Sequence, residues 1–418
     1  MWIDFPNLRH LRAFATVVEK GGVTRAAQAI HLSQPAITQA LAKLAERFGT
    51  DLLEFGPDGA TPTPAGRLLD DRVVRALDLI EVGAREAARL DQRRSGGGFA
   101  RFEQLITVAQ LRALSAMATT RNFSLAAREL GLSQPSVHRA ARDLERLTGL
   151  TLFVATRQGI DLSPAAETLA RHAALAHAEL QQGFAEVSEI LGRDPGQIVV
   201  GAMPLGRTKL LPDAINELTR ERPLARVKVI SAPYDGLLGR LRHGVIDFLL
   251  GALRDPLPID DVVQEALFDD PLAIVARAGH PLTEARTIGR DDLLAYPWVV
   301  PGEETPTRAV FHAMFAPADL ARMPAGMVET SSLVLIRGLL GGSDRLTLLS
   351  ARQARYELEQ GLLAVVPFHL ELPARRIGLT WRRGWKPTPT QAALLDRIRA
   401  SRTIPADPDI ATGYSKNE

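Results

Sequence analysis

The feature that most limits how this chain can fold is a repeat at a fixed offset of 100 residues. Leu11-Arg12-Ala13 returns as Leu111-Arg112-Ala113, and Ala26-Ala27 as Ala126-Ala127. Leu32-Ser33-Gln34-Pro35 returns as Leu132-Ser133-Gln134-Pro135. Leu44, Gly49, Leu52, Gly59, Pro64 and Ala65 each find the same residue type 100 positions on. A gapless match over such a span means that the first half of the chain holds two copies of one module.

Within each copy the apolar spacing reads as helices. Leu11, Phe14 and Val18 form a helical face. A short second helix carries Ala26, Ala27 and Ile30, with Thr24 as a candidate cap, and its small alanines let two backbones approach closely. His31-Leu32-Ser33 then turns into a third helix, capped by Ser33 and tolerant of Pro35 in its first turn. Ile37, Leu41, Leu44 and Phe48 line its inner side. Copy two repeats this plan with Ala126, Ala127 and Leu130, then Ser133 as cap, then Val137, Ala141 and Leu144. Two short helices joined by a tight turn form a helix-turn-helix, whose second helix offers its first residues to base edges in a major groove. Short strands at Leu52-Leu53 and Leu152-Phe153, with loops at Gly56–Gly59 and Arg157-Gln158-Gly159, complete a wing in each copy.

A long amphipathic helix is expected after each wing. Its stripe is Leu69, Val73, Ala76, Leu77, Ile80 and Ala84 in copy one. In copy two it is Leu169, Ala173, Ala176, Leu180, Phe184, Val187 and Leu191. Such stripes call for a partner, often another subunit, so a homo-oligomer is expected. Ser95-Gly96-Gly97-Gly98 reads as a flexible joint and Gly192–Gly196 as a second boundary. From Gln197 short apolar strands alternate with helices, the pattern of α/β units. Ligands of such sheets sit beyond strand C-termini, where helix N-termini favour anions. Thr330-Ser331-Ser332, between a strand and a helix, is the best placed cluster, with plain N-capping as the alternative.

Composition excludes several classes. With no cysteine, disulfides, Cys-based zinc sites and thiol catalysis are ruled out. No GxSxG, Walker, HExxH or dinucleotide fingerprint is present, so neither a catalytic residue, a metal site nor a cofactor is expected, and the chain does not read as an enzyme. No secretory leader and no bilayer-spanning stretch is visible, which gives a cytoplasmic expectation without membrane contact. The net charge of +2 is uninformative as a sum but not in its distribution. Residues 1–66 hold six basic and six acidic side chains, whereas residues 101–166 hold eight arginines and five acids. Copy two should therefore bind phosphates more strongly.

These residues resemble the LysR-type transcriptional regulators. The specific pieces are Asn7–Phe14, Ala26-Ala27, Leu32–Ala36, Gly279-His280-Pro281-Leu282 and Glu329–Ser332. The resemblance implies an α/β multidomain fold: two tandem, mostly helical winged helix-turn-helix domains and a two-lobed effector domain like a periplasmic binding protein. The expected divisions are winged helices at 1–66 and 101–166, linker helices at 67–94 and 167–192, and an effector domain at 196–400. Lobe I would be 196–274 plus 378–400, lobe II 275–377, and 401–418 a polar tail. The resemblance implies assembly as a homodimer or homotetramer, and as partners a double-stranded DNA operator, RNA polymerase, and an effector such as an organic anion or sugar derivative.

The chain departs from the family in carrying two helix-turn-helix copies where most members carry one. Copy one has Gln39 and Ala42 where copy two has Arg139 and Arg142. The loop Met203–Gly206 lacks the hydroxyl residue often found there. The DNA-binding candidates in copy two are Ser133, Gln134, Pro135, Ser136, His138 and Arg139, with Arg142, Arg146 and Arg157 as phosphate contacts. In copy one they are Ser33, Gln34, Pro35, Thr38, Gln39 and Lys43, and a structural or dimerising relic is the alternative. The effector candidates are Leu205, Gly206 and Arg207 from one lobe and Thr330, Ser331 and Ser332 from the other. A DNA-architectural protein without a ligand remains the competing function.

Overall fold

The computed structural model describes residues 6–90, 105–157, 159–370 and 374–400. The Ser95–Gly98 joint, Gln158, the 401–418 tail and the Arg207 side chain lie outside the described residues. The chain divides into two compact units. The N-terminal unit is Met1–Gln197 with Leu224–Arg226 and Arg242–Val245, and the C-terminal unit is the remainder.

The N-terminal unit realises the repeat twice, element for element. Copy one runs α1 (Leu8–Lys20), α2 (Val23–Ile30), α3 (Gln34–Phe48), β1 (Leu53–Gly56), β2 (Gly59–Pro62) and α4 (Pro64–Leu90). Copy two runs α5 (Val108–Thr120), α6 (Phe123–Leu130), α7 (Gln134–Thr148), β3 (Phe153–Thr156), β4 (Gly159–Leu162) and α8 (Pro164–Ile190). Ser33 and Ser133 cap α3 and α7 by accepting from the amides of Ala36 and Ser136. The tight turn before each cap needs a left-handed residue. Copy two supplies Gly131 (φ 65°), but copy one holds His31 there (φ 54°), at a steric cost that glycine avoids.

The two long helices α4 and α8 pack antiparallel against each other. Arg72 Nε donates to Glu186 Oε2 at 3.0 Å near one end, and His172 Nε2 meets Glu86 Oε2 at 2.9 Å near the other. Between them Arg75 bonds both oxygens of Glu179 at 3.0 Å. Two glycines permit this close approach. A Cβ on Gly83 would fall 2.4 Å from His172 Cβ, and one on Gly183 would fall 3.0 Å from Arg72 Cβ. Leu69, Val73, Ala76 and Ile80 of α4 join Leu169, Ala173, Ala176 and Leu180 of α8 in one core with the inner residues of both copies. The stripes are thus covered within the chain, where the sequence suggested a second subunit.

Arg72 is 3% exposed, and burying a guanidinium is tolerable only when its donors are met. Nη1 reaches Glu179 (2.8 Å) and Gln182 (2.7 Å), and Nη2 reaches Glu186 (2.5 Å). Burial pulls the Arg72 pKa down, but its bonds to Glu186 and Glu179 outweigh that and leave it above the ordinary value. Glu179 sits below the ordinary carboxylate value, since its bonds to Arg75 and Arg72 outweigh burial.

The C-terminal unit contains two five-stranded sheets, ordered β6-β5-β7-β14-β8 and β11-β10-β12-β9-β13. The first is formed by β5 (Gln197–Ala202), β6 (Arg226–Ile230), β7 (Phe248–Ala252), β8 (Val262–Asp270) and β14 (Arg375–Arg382). The second is formed by β9 (Leu272–Arg277), β10 (Trp298–Val300), β11 (Val328–Glu329), β12 (Leu346–Ser350) and β13 (Leu363–Val366). Flanking helices are α9 (Leu210–Glu221), α10 (Tyr234–Arg242), α11 (Arg290–Leu294), α12 (Pro306–Met314), α13 (Pro317–Leu320), α14 (Leu333–Gly341), α15 (Arg355–Glu359) and α16 (Pro389–Ala400).

The chain leaves the first sheet at Pro271 and returns in β14, which pairs antiparallel with β7 and β8. Ala273 and Ile274 therefore belong to the second sheet and Arg375–Ile377 to the first, shifting the expected lobe boundaries by a few residues. Strand pairing, rather than the apolar run, decides membership. No described helix is long and apolar enough to cross a membrane.

The helix pair can be probed in two ways. Arg72→Met leaves Glu179 and Glu186 buried with fewer donors and should cost about 3–5 kcal/mol, read as a lower Tm of the N-terminal unit. His177, buried on α8, has its pKa lowered to about 4 by burial. As pH falls from 6.5 towards 4 the unfolded chain takes up this proton first, so stability is lost over that window, by up to about 3 kcal/mol. Asp70 on α4 acts in the opposite sense, raised to about 6 by burial and by Asp71 and Glu19. Denaturant melts of His177→Gln beside the natural chain isolate the histidine: the variant should lose less stability than the natural chain between pH 7 and pH 5.

Candidate DNA interface and effector cleft

Helix α7 presents one face to solvent. Gln134, Pro135, Ser136, His138, Arg139, Arg142 and Arg146 line that face, while Val137, Ala141 and Leu144 are buried beneath them. Several of the expected DNA contacts have a structural duty. Ser133 caps the helix and shares a 2.8 Å hydroxyl contact with Ser136. Gln134 Oε1 accepts from Ser124 Oγ (3.3 Å). The His138 ring stands edge-on to Phe123, with centroids 5.0 Å apart, which orients it without burying it. Arg142 pairs with Glu145, whose other oxygen accepts from the amides of Leu152 (2.9 Å) and Phe153 (3.1 Å) at the start of β3. Arg146 pairs with Asp143. Arg139 and Arg157, the latter exposed in the β3–β4 turn, carry no ion pair among the described residues. They are the cations of this face whose charge is not already matched.

Helix α3 repeats the frame with weaker chemistry. Gln34, Pro35, Thr38, Gln39 and Lys43 are exposed, Ser33 is committed to the cap, and Thr38 Oγ1 donates back to Gln34 O (3.0 Å). Its far end is anchored, since Phe48 stacks on Phe184 of α8 with centroids 4.2 Å apart.

The C-terminal unit holds a cleft of about 980 Å³ between its two sheets. The segments flanking the first sheet contribute Met203, Leu205, Thr208, Ser231, Tyr234 and Arg254. The second sheet contributes Thr347, and the segments flanking it Thr305, Thr307, Thr330, Ser331 and Ser332. Thr330 Oγ1 accepts from Ser332 N (3.2 Å), and Ser332 Oγ caps α14 by accepting from Leu335 N (3.4 Å). Ser331 carries no side-chain hydrogen bond among the described residues. Leu205 lines the cleft, but Gly206 does not. The Gly206 amide is spent on Met203 O (3.1 Å), and the residue packs on Leu250, so it is not the free donor that the sequence suggested.

Sequence reasoning missed Arg254 and Tyr234. Arg254 lies two residues past the end of β7 and over the Tyr234 ring at 4.2 Å. No carboxylate pairs with it among the described residues, and burial lowers its pKa below the ordinary arginine value. Its place just past a strand C-terminus was the available signal. Arg375, also on the wall, is taken up by Thr307 (2.8 Å) and Asp270 (2.5 Å).

The LysR substrate binding domain matches residues 192–402, and the bacterial regulatory helix-turn-helix of the lysR family matches both 8–67 and 108–167. HTH-type transcriptional regulator GalR of Pseudomonas putida is 36% identical over 399 residues, covering 95% of this chain and 98% of that protein. PcaQ of Agrobacterium fabrum, also an HTH-type transcriptional regulator, is 28% identical and covers 71% of this chain and 95% of its own. Among solved structures, a full-length OxyR variant from Pseudomonas aeruginosa superposes with a TM-score of 0.50 at 25% identity, over 70% of this chain and 95% of that one. The chain belongs to the LysR family of transcriptional regulators. It combines a DNA-binding helix-turn-helix region with a C-terminal effector-binding domain, and its relatives are regulators rather than enzymes.

Proposed function

We propose that both repeat units are winged helix-turn-helix modules, that copy two carries most of the base recognition, and that an anionic metabolite held in the C-terminal cleft controls binding. Oligomers of whole chains, as the family implies, would keep the linker pair inside each chain. Cytoplasmic action beside RNA polymerase follows from the same reading. The observation that carries it is the pairing of an unmatched arginine with an open surface in both places. Arg139 stands unpaired on the exposed start of α7, and Arg254 stands without a carboxylate in a cleft rich in hydroxyls. An arginine in the first positions is suited to guanine O6 and N7. A desolvated arginine lining the same cleft as Thr330 and Ser331 is suited to a carboxylate or a comparable planar anion.

Two sets of measurements test this. In DNA titrations at two salt concentrations, Arg139→Ala should cost about 1–3 kcal/mol and relax the preference at one base pair. Arg157→Ala should weaken all sequences alike and flatten the salt slope by about one charge. Gln39→Ala should cost less than Arg139→Ala, and the reverse order would refute the ranking. For the cleft, a panel of aromatic and aliphatic carboxylates is screened by thermal shift on the full chain. A stabilising anion should lose at least about tenfold in affinity in Arg254→Met and in Thr330→Val/Ser331→Ala. Unchanged ligand-dependent DNA binding in these variants would exclude this placement.

A further inference from the structure

We infer that one chain carries a complete and intrinsically asymmetric pair of DNA-reading units, so that its operator is composed of two unlike half-sites. The inference rests on the DNA-binding reading above and adds the geometry of the pair. The α4–α8 contact has an internal twofold relation under the 100-residue offset. Arg72–Glu186 and His172–Glu86 are equivalent pairs, and Gly83 against His172 is equivalent to Gly183 against Arg72. Two winged units related in this way occupy the places that the two subunits of a dimer occupy on a palindrome.

The pair is nevertheless chemically one-sided. Arg75 bonds Glu179, but their equivalents are Leu175 and Leu79, and the equivalent of Gln182 is Val82. If α8 met a second α8 in the same register, Glu179 would lie near its own copy with Leu175 in place of Arg75. If α4 met a second α4, Arg72 would find Leu79 and Val82 where Glu179 and Gln182 now accept its hydrogens. An α8 pair would set Glu179 against its own copy, and an α4 pair would keep Glu86 for Arg72 but withdraw two of its three acceptors, so both self-pairings are disfavoured relative to α4 on α8. The reading surfaces differ as well: Thr38, Gln39, Ala42 and Lys43 on α3 correspond to His138, Arg139, Arg142 and Asp143 on α7. A palindrome would offer one of them a half-site shaped for the other.

The full chain, which has no cysteine, allows a direct test. With Leu79→Cys and Leu175→Cys together, a flexible bismaleimide carrying a cleavable disulfide spacer should give a cross-linked species that migrates as a single chain, independent of protein concentration over about a hundredfold range. Covalent dimers would overturn the single-chain pairing. A second arm needs no substitution: the natural chain selects duplexes from a random pool, and two unlike half-sites should emerge. Replacing one selected half-site by a copy of the other should weaken binding by at least about tenfold. A palindromic consensus, or one half-site alone, would overturn the inference while leaving DNA binding intact. Failure to enrich any sequence would instead refute the DNA-binding reading on which it rests.

Discussion

The buried guanidinium of Arg72 constrains the N-terminal half more than any other single group. It is enclosed between two helices, and its donors are satisfied only if Glu179, Gln182 and Glu186 arrive together on α8 in one register. Apolar stripes alone would accept several registers, and helices as rich in alanine as these can slide. Buried ion clusters add little net stability compared with apolar packing, but a misplaced one is costly. What this cluster contributes is selection of a partner and an alignment. Everything attached to the helix ends inherits that alignment, including the placement of α3 and α7.

Duplication has left two backbones alike and two surfaces unlike. The caps at Ser33 and Ser133, the prolines behind them and the hairpins β1–β2 and β3–β4 are the same. Copy two has the relaxed turn residue Gly131, the unpaired Arg139 and the exposed wing Arg157. Copy one has His31 in a left-handed turn, Gln39 in place of the arginine, and an acidic wing turn at Asp58. Copy one also gives its C-terminal end to packing, through Phe48 on Phe184 and through Arg193, which donates to the carbonyls of Phe48 and Gly49. The two units therefore differ in exposed charge, while both are tied to α8, copy one through Phe48 and copy two through Arg121 with Glu167.

Much of this was legible in the sequence because repeats and caps are local signals. The fixed offset located both units, and Leu-Ser-Gln-Pro marked both turns. The apolar runs from Ile198 to Leu379 marked most strands of the two sheets. What stayed hidden depended on contacts between distant segments. The partner of each stripe could not be read from either stripe, since an amphipathic helix does not say whether its cover is its own chain. Strand β8 reads Val-Val-Gln-Glu-Ala-Leu-Phe-Asp-Asp, too polar to signal a strand, and only its pairing with β14 defines it. Arg254 looked like one charge among fifty basic residues until the fold set it over Tyr234, with no described carboxylate in hydrogen-bonding reach. Gly206 failed for the opposite reason, because a short 3₁₀ turn had already consumed its amide.

The central claim is that the helix pair seen within one chain is the arrangement that grips DNA. It is tested most directly by the affinity of the Leu79→Cys/Leu175→Cys chain for its selected duplex before and after bridging the two thiols with a flexible, reductant-cleavable bismaleimide. If α4 and α8 stay paired on DNA, the bridge holds helices that are already together, and the two affinities should agree within about twofold. A loss of about tenfold or more on bridging, restored by reductant, would show that the helices separate to bind and would contradict the account.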